Sequence, residues 1–296
     1  MKKLSKTPVC LFVYNKDHLI DKILDSLFNC DNFENHKVYI FSDSFVNLED
    51  KKKVETVRLK LKNFKKNKKN IRLIFRKKNF GLKKNILLGV NKIINKYKQI
   101  IVIEDDLILS NDFLNYIEKN LIFYKNCKKV FSITGFSPNI NSEDKKRYNF
   151  DNFFSHTPSS WGWATWYDRW NFFKPIYKIK KTELKKIKKI FDLSTYENYF
   201  SFLDINLNNR DLWAANWSYA SLKNKSLNSY PLISKVSNIG FDGTGQGGIS
   251  RKYKKTLLPS RLNKFKLNSN IELNIKFNQI LNNYYKQNYL LRFLKF

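Results

Sequence analysis

The chain has no run of apolar residues approaching the ~20 that a helix needs to cross a bilayer. That excludes a spanning helix and leaves attachment to a membrane surface open. Cysteine is scarce: Cys10, Cys30 and Cys127 are odd in number and scattered. They offer neither a disulfide framework nor zinc-ligand spacing, which points to a reducing, cytoplasmic setting. The basic start, Met1-Lys-Lys-Leu-Ser-Lys6, lacks the apolar stretch and small-residue cleavage site of a signal peptide. No internal repeat is present, and the polar run Lys65–Asn70 is too short to link two domains.

Acidic residues are few, 25 against 56 lysines and arginines, so the formal charge is +31. Taken alone, that balance suggests nucleic acid or an anionic membrane as partner. Yet lysine, asparagine, isoleucine and phenylalanine are abundant together while methionine occurs once, proline six times and glycine nine times. An A/T-rich genome imposes that pattern on any protein, whatever its ligand. Nucleic-acid binding also predicts cations interleaved with aromatics. Here the tryptophan-rich block holds few lysines and the lysine runs fall on expected surface helices, so nucleic acid is not the expected partner.

What is present begins with Gln99-Ile-Ile-Val-Ile-Glu104-Asp-Asp-Leu107. A continuous apolar run reads as a strand buried on both faces. Three carboxylates cannot continue it, because an unpaired core charge is too costly. They belong at its carboxyl end, where parallel α/β sheets place ligands. Hard oxygens gathered there suit Mg²⁺ or Mn²⁺ and, through the metal, a diphosphate. The plain alternative is a solvated turn leading into a helix from Ser110.

Four further strands are expected at Pro8–Tyr14, Lys37–Asp43, Ile71–Arg76 and Val130–Thr134. Helices are expected at His18–Phe28, Leu48–Phe64 and Asn111–Lys125, and Asn79–Asn85 reads as a turn leading into another that runs through about Tyr97. Strand and helix alternate with short connections, which predicts an α/β fold with a mostly parallel sheet and helices on both faces. Strand ends are polar at Asn15, Asp43, Arg76 with Asn79, and Glu104 to Asp106, so parallel strands would gather them on one rim. Residues 141–158 read as a polar loop. All six tryptophans lie between Trp161 and Trp217. Short helices are expected at Thr182–Phe191 and Ser194–Phe202, a longer one at Arg210–Leu222, and a strand at Leu227–Val236. Ser237 to Gly248 holds five of the nine glycines and reads as a loop.

Together the motifs Val13-Tyr-Asn15, Phe41-Ser-Asp43, Asn79-Phe-Gly-Leu82, Glu104-Asp-Asp106, Trp161-Gly-Trp-Ala-Thr-Trp166, Asp211-Leu-Trp213 with Trp217, and Ser237-Asn-Ile-Gly-Phe-Asp-Gly243 carry a resemblance. The chain resembles nucleotide-sugar-dependent glycosyltransferases of the GT-A fold, of the family 2-like kind related to the N-acetylglucosaminyltransferase of N-glycan cores. The resemblance spans residues 8–248. It implies a Rossmann-like nucleotide- and metal-binding half at 1–140, an acceptor and catalytic half of the same domain at 141–249, and a basic tail at 250–296.

The resemblance further implies site roles. Asp106, last acid of the triplet, would be the direct ligand of Mn²⁺ or Mg²⁺, and Glu104 and Asp105 would orient the ribose, the metal waters or the sugar. Asp43 would accept from the nucleotide base, favouring uracil, with Tyr14 where the base packs. Arg76 and Lys83 would meet the diphosphate, and Trp163 would lie against the donor sugar. Asp211 would be the general base of an inverting transfer, with Asp168 and Asp242 as rivals. The donor would be a nucleotide sugar and the acceptor a glycan or glycolipid. An anionic membrane surface is a further partner suited to the aromatic, basic stretch Tyr284–Phe296. The implied setting is polysaccharide or lipopolysaccharide assembly at the inner face of the cytoplasmic membrane. The Gly-Thr-Gly of residues 243–245 is followed by Gln246-Gly-Gly where related proteins carry a His, which weakens any metal contact from that loop. A nucleotidyltransferase of similar fold would need a Gly-rich basic loop after the first strand, and Asn15-Lys-Asp-His18 contains no glycine.

Overall fold

The computed structural model describes residues 6–173, 180–190, 213–240 and 264–293. The N-terminal half alternates as expected: β1 (Val9–Val13), α1 (Ile20–Phe28), β2 (Val38–Ser42), α2 (Leu48–Lys65), β3 (Ile71–Phe75), α3 (Gly81–Tyr97), β4 (Gln99–Glu104), β5 (Leu107–Leu109), α4 (Phe113–Phe123) and β6 (Val130–Thr134). Then follow α5 (Ser142–Lys146), β7 (Asn152–Ser155), β8 (Trp163–Trp166), α6 (Tyr167–Trp170), α7 (Lys181–Ile190), α8 (Trp213–Lys223), β9 (Leu227–Pro231), β10 (Val236–Asn238) and α9 (Ile275–Phe293).

Eight of these strands form one sheet in the order β3-β2-β1-β4-β8-β6-β9-β7. The pairs β3/β2, β2/β1, β1/β4 and β6/β9 are parallel, and β8 and β7 run against their neighbours. This is the expected α/β architecture with a mostly parallel sheet. Antiparallel β10 and β5 make a separate two-stranded ribbon.

The period of two along β1 divides the interior. Val9, Leu11 and Val13 face a core shared with α1, α2 and α4, while Cys10 and Phe12 face a second core containing α3 and α8. The helices confirm the division: Ile23, Leu24 and Leu27 of α1 join the first core, and Ile86, Val90 and Ile93 of α3 the second. The very basic α2 buries only Val54, Val57 and Leu61, starts at Asn47, whose side chain accepts from the Asp50 amide, and ends among Lys62 and Lys65. Acids in its first turn and lysines in its last both favour the helix dipole.

Two expectations are corrected, and one strand was not expected. Residues 141–158 are not a loop: they contain α5 and the edge strand β7, whose polar Asn152 and Ser155 are buried. The tryptophan block contains β8, wedged between β4 and β6. Its Trp-Gly-Trp motif has a backbone reason, because Gly162 has φ +62° and a Cβ there would lie 2.8 Å from Val236. The stretch Leu227–Val236 is two strands in two different sheets. The segment from residue 264 onward packs back on the second half: the Lys266 carbonyl accepts from the Asp151 amide, the Lys266 amide donates to the Asp151 carboxylate, and Phe277 and Leu281 are buried in the first core. The expected helix Ser194–Phe202 and the start of the expected Arg210–Leu222 helix lie outside the described residues.

Candidate active site

Parallel pairing aligns β3, β2, β1 and β4, so their carboxyl ends form one edge. Neighbouring strands are ~4.8 Å apart, which makes this edge a rim of about 14 Å across three intervals. Along it stand Arg76, Asp43, Tyr14 with Asn15, and the triplet. The acids do not cap the following helix. Glu104 ends β4, and Asp105 and Asp106 form a two-residue turn into β5.

The carboxylates are held from three directions. Asp105 is buried, and its Oδ2 accepts from the Tyr14 amide at 2.7 Å. Lys16 reaches over from the turn after β1, its Nζ 3.2 Å from Asp105 Oδ1 and 3.1 Å from Asp106 Oδ2. From the far side, Ile239 donates its amide to the Asp106 carbonyl at 2.8 Å, just beyond the β10/β5 ribbon. Gly240 follows, and a Cβ there would sit 2.7 Å from Asp106 Oδ2. The glycine-rich segment thus begins in contact with the acid expected to hold metal. Its remainder, Phe241 to Gly248, lies outside the described residues.

These contacts shift the titrations. Burial and then the Asp106 charge push Glu104 up to about 8. Asp105 is raised by burial against the pull of Lys16. Burial would lower Lys16, but the two carboxylates hold its ammonium above the usual lysine range. One consequence is measurable without any ligand. Between about 4.5 and about 8 the unfolded Glu104 loses its proton while the folded one keeps it. The folded state then binds more protons, so stability falls as pH rises through that window. In EDTA, Glu104→Gln is expected to flatten this fall and to be the more stable form at pH 8. Equal pH slopes in urea titrations would refute it.

Asp43 and Arg76 occupy the other end of the rim. Asp43 is buried and accepts from the amides of Ser44 at 2.9 Å and Phe80 at 3.0 Å, holding the turn into α3. Gly81 opens that helix at φ +71°, a conformation glycine adopts freely. Arg76 donates Nε–H to Asn85 at 2.9 Å, and its guanidinium lies over Phe41 and Phe80. Its Nη2 is buried with no acceptor among the described residues. Lys83 is half-buried on the first turn of α3. Tyr14 turns its hydroxyl to Asp50 Oδ2 at 2.7 Å, and Asn15 binds the same carboxylate. Burial and that bond push the Tyr14 phenol up to about 12.

Two assignments change. Trp163, expected against the donor sugar, is 0% exposed. The alternation of β8 sends it into the second core, where it stacks with Trp170 and meets Trp213 and Trp217. Asp168, a rival base, lies at the opposite end of the sheet, because β8 runs antiparallel and Trp166 pairs with Gln99 at the start of β4. Burial would raise its carboxyl, but Lys128 and Arg169 hold it below the usual range. Asp211 and Asp242 lie outside the described residues. The residue that sequence reasoning missed is Lys16; its only signal was its place two residues beyond an apolar strand that ends on the rim.

By sequence the chain matches no family model and no curated protein. Among solved structures it is similar to the crystal structure of S. aureus TarS 1-349 in complex with UDP. There the identity is 16% and the TM-score 0.34, over 46% of this chain and 37% of that one. It is also similar to the crystal structure of GalNAc-T7 with UDP, GalNAc and Mn²⁺. There the identity is 10% and the TM-score 0.47, over 78% of this chain and 43% of that one. The chain therefore spans less than half the length of either. Similarity at that level leaves fold and chemistry to be read from this chain's own residues.

Proposed function

We propose that the chain is a GT-A glycosyltransferase that moves a sugar from a nucleotide diphosphate donor, a UDP-sugar, to a hydroxyl of a glycan or glycolipid, with inversion. The observation that carries this reading is the rim itself. Four parallel strands end side by side, with a buried acid and an arginine at one end and a cation-bound carboxylate pair at the other. A nucleoside diphosphate laid along the rim would place its base at Asp43 and Tyr14 and its phosphates toward Lys16 and Asp106. The unpaired Nη2 of Arg76 then meets an acceptor on the nucleotide.

A divalent cation suits this donor set. Among the described residues no three His, Cys, Asp or Glu side chains converge on a metal position. Mg²⁺ and Mn²⁺ nevertheless keep waters and take phosphate oxygens, so one or two carboxylates suffice. Lys16 is already a cation standing on both acids, which marks the place where positive charge is favourable. Asp106 would be the protein ligand. When bound, the metal supplies neutralisation of the leaving diphosphate. The chain's own residues orient the donor: the Tyr14 amide fixes Asp105, and Asp43 fixes the α3 turn. Asp211, before the Trp213–Lys223 helix, is the proposed base, and such a group contributes ~10²–10⁴ in rate. Among the described residues no helix is long and apolar enough to cross a membrane. The proposed acceptor is a glycan or glycolipid hydroxyl, and an anionic membrane surface is a further proposed partner.

The test is calorimetric binding of a panel of nucleotides with Mn²⁺, followed by transfer assays with Asp211→Asn. UDP is expected to bind more tightly than GDP or ADP, and Asp211→Asn to keep donor affinity while losing ~10²-fold or more in kcat. If no nucleoside diphosphate binds, the reading fails. If Asp211→Asn transfers normally, only the base assignment falls.

A further inference from the structure

We propose that Lys16 is a resident counter-ion of the acidic pair, which a divalent cation must displace before it can occupy the site. The proposal rests on the donor-site reading above and adds to it a control over when metal binds. The Lys16 ammonium is within 3.2 Å of Asp105 and 3.1 Å of Asp106, and the lysine side chain is only 14% exposed. It is anchored there by its own backbone, since its carbonyl accepts from the amides of Leu19 and Ile20, each at 3.1 Å, at the start of α1. The far side of Asp105 is taken by the Tyr14 amide. Both neighbouring acids are thus already compensated by the chain's own groups.

An ammonium and a divalent ion cannot share the same carboxylate oxygens. At such separations their repulsion is substantial even at the effective dielectric of a protein surface. The resident lysine therefore weakens the binding of metal alone. A metal that arrives with a diphosphate brings compensating negative charge, which Lys16 can face once it leaves the acids. The chain would accordingly bind metal and nucleotide as a unit and resist filling with free metal.

The experiment is a nucleotide-free Mn²⁺ titration of the full chain, read by electron paramagnetic resonance of the free ion. Wild type is compared with Lys16→Met and Lys16→Arg. Lys16→Met is expected to bind Mn²⁺ ~10-fold more tightly than wild type, and Lys16→Arg to resemble wild type. Equal or weaker binding by Lys16→Met overturns the proposal. If Lys16→Met is poorly folded in EDTA, Mn²⁺ is expected to raise its melting midpoint by more than it raises wild type, and an equal shift overturns the proposal too. A parallel arm with UDP separates the two readings. If wild type binds no UDP with Mn²⁺, the donor assignment fails, whatever the metal-alone titration shows.

Discussion

Asp106→Asn is expected to reduce sugar transfer by ~10³-fold while leaving the protein folded. Three decades in rate correspond to about 4 kcal/mol, the scale expected if the proposed leaving diphosphate loses the metal that Asp106 would hold. The fold should survive because the substitution keeps shape and spares the other contacts. Lys16 retains Asp105 at 3.2 Å, and the Asp106 carbonyl still accepts from Ile239. The Gly240 contact is also preserved, since an amide has nearly the size of the carboxylate. The decisive comparison is Mn²⁺-dependent UDP binding alongside the rate. Both should fall together in Asp106→Asn, with the melting midpoint near that of wild type. A variant that binds UDP and Mn²⁺ normally would remove Asp106 from the ligand role.

The distinction between Asp105 and Asp106 follows from the same contacts. Asp105 is buried and bound on both oxygens, by Tyr14 and Lys16. It is placed to hold the turn and the resident cation. Asp106 is the more exposed of the two and faces the start of the glycine-rich segment. Asp106, the acid beside Gly240, is the one proposed to exchange its cation partner.

How much of this was legible in the sequence depended on whether polarity told the truth about burial. In the N-terminal half it did. Apolar runs such as Val9–Val13 and Ile100–Ile103 are strands, and the polar residues that end them do gather on one rim, because parallel pairing puts every strand's carboxyl end on one side. In the second half polarity misled. Asn152 and Ser155 look like loop residues, yet they are buried because neighbouring side chains satisfy them. Asn152 donates to Tyr124 and to Ser229, each at 2.9 Å. Trp163 looked like a sugar platform because aromatic residues serve both cores and sugars, and only the register of β8 decides which way it points. Lys16 was hidden by abundance: with 56 lysines and arginines in the chain, no single one stands out until its partners are seen.

Lys235→Met should destabilise the fold by about 3–5 kcal/mol, a large share of the ~5–15 kcal/mol that holds a typical domain together. Lys235 lies between β9 and β10 and is 2% exposed; its Nζ is 2.7 Å from Asp112 Oδ2, and Asp112 is fully buried. The ammonium also lies over the rings of Phe265 and Tyr116. Methionine fills much the same volume but leaves a buried carboxylate without its cation, which is the costly way to break such a pair. The backbone makes the site a junction. Lys235 donates to Gly135 at 2.7 Å and accepts from Ser110 at 2.9 Å, joining the segment after β5 to the turn after β6. The β10/β5 ribbon that begins one residue later is what brings Gly240 against Asp106. Loss of the pair should therefore loosen the site as well as the fold. Urea unfolding of Lys235→Met, Asp112→Asn and the double variant separates the causes. If the uncompensated charge is the source, the double variant recovers part of the loss, because no buried anion remains. If all three variants lie within ~1 kcal/mol of wild type, the pair is not holding the two halves together. If the double variant is as unstable as the sum of the singles, the cost comes from lost packing instead.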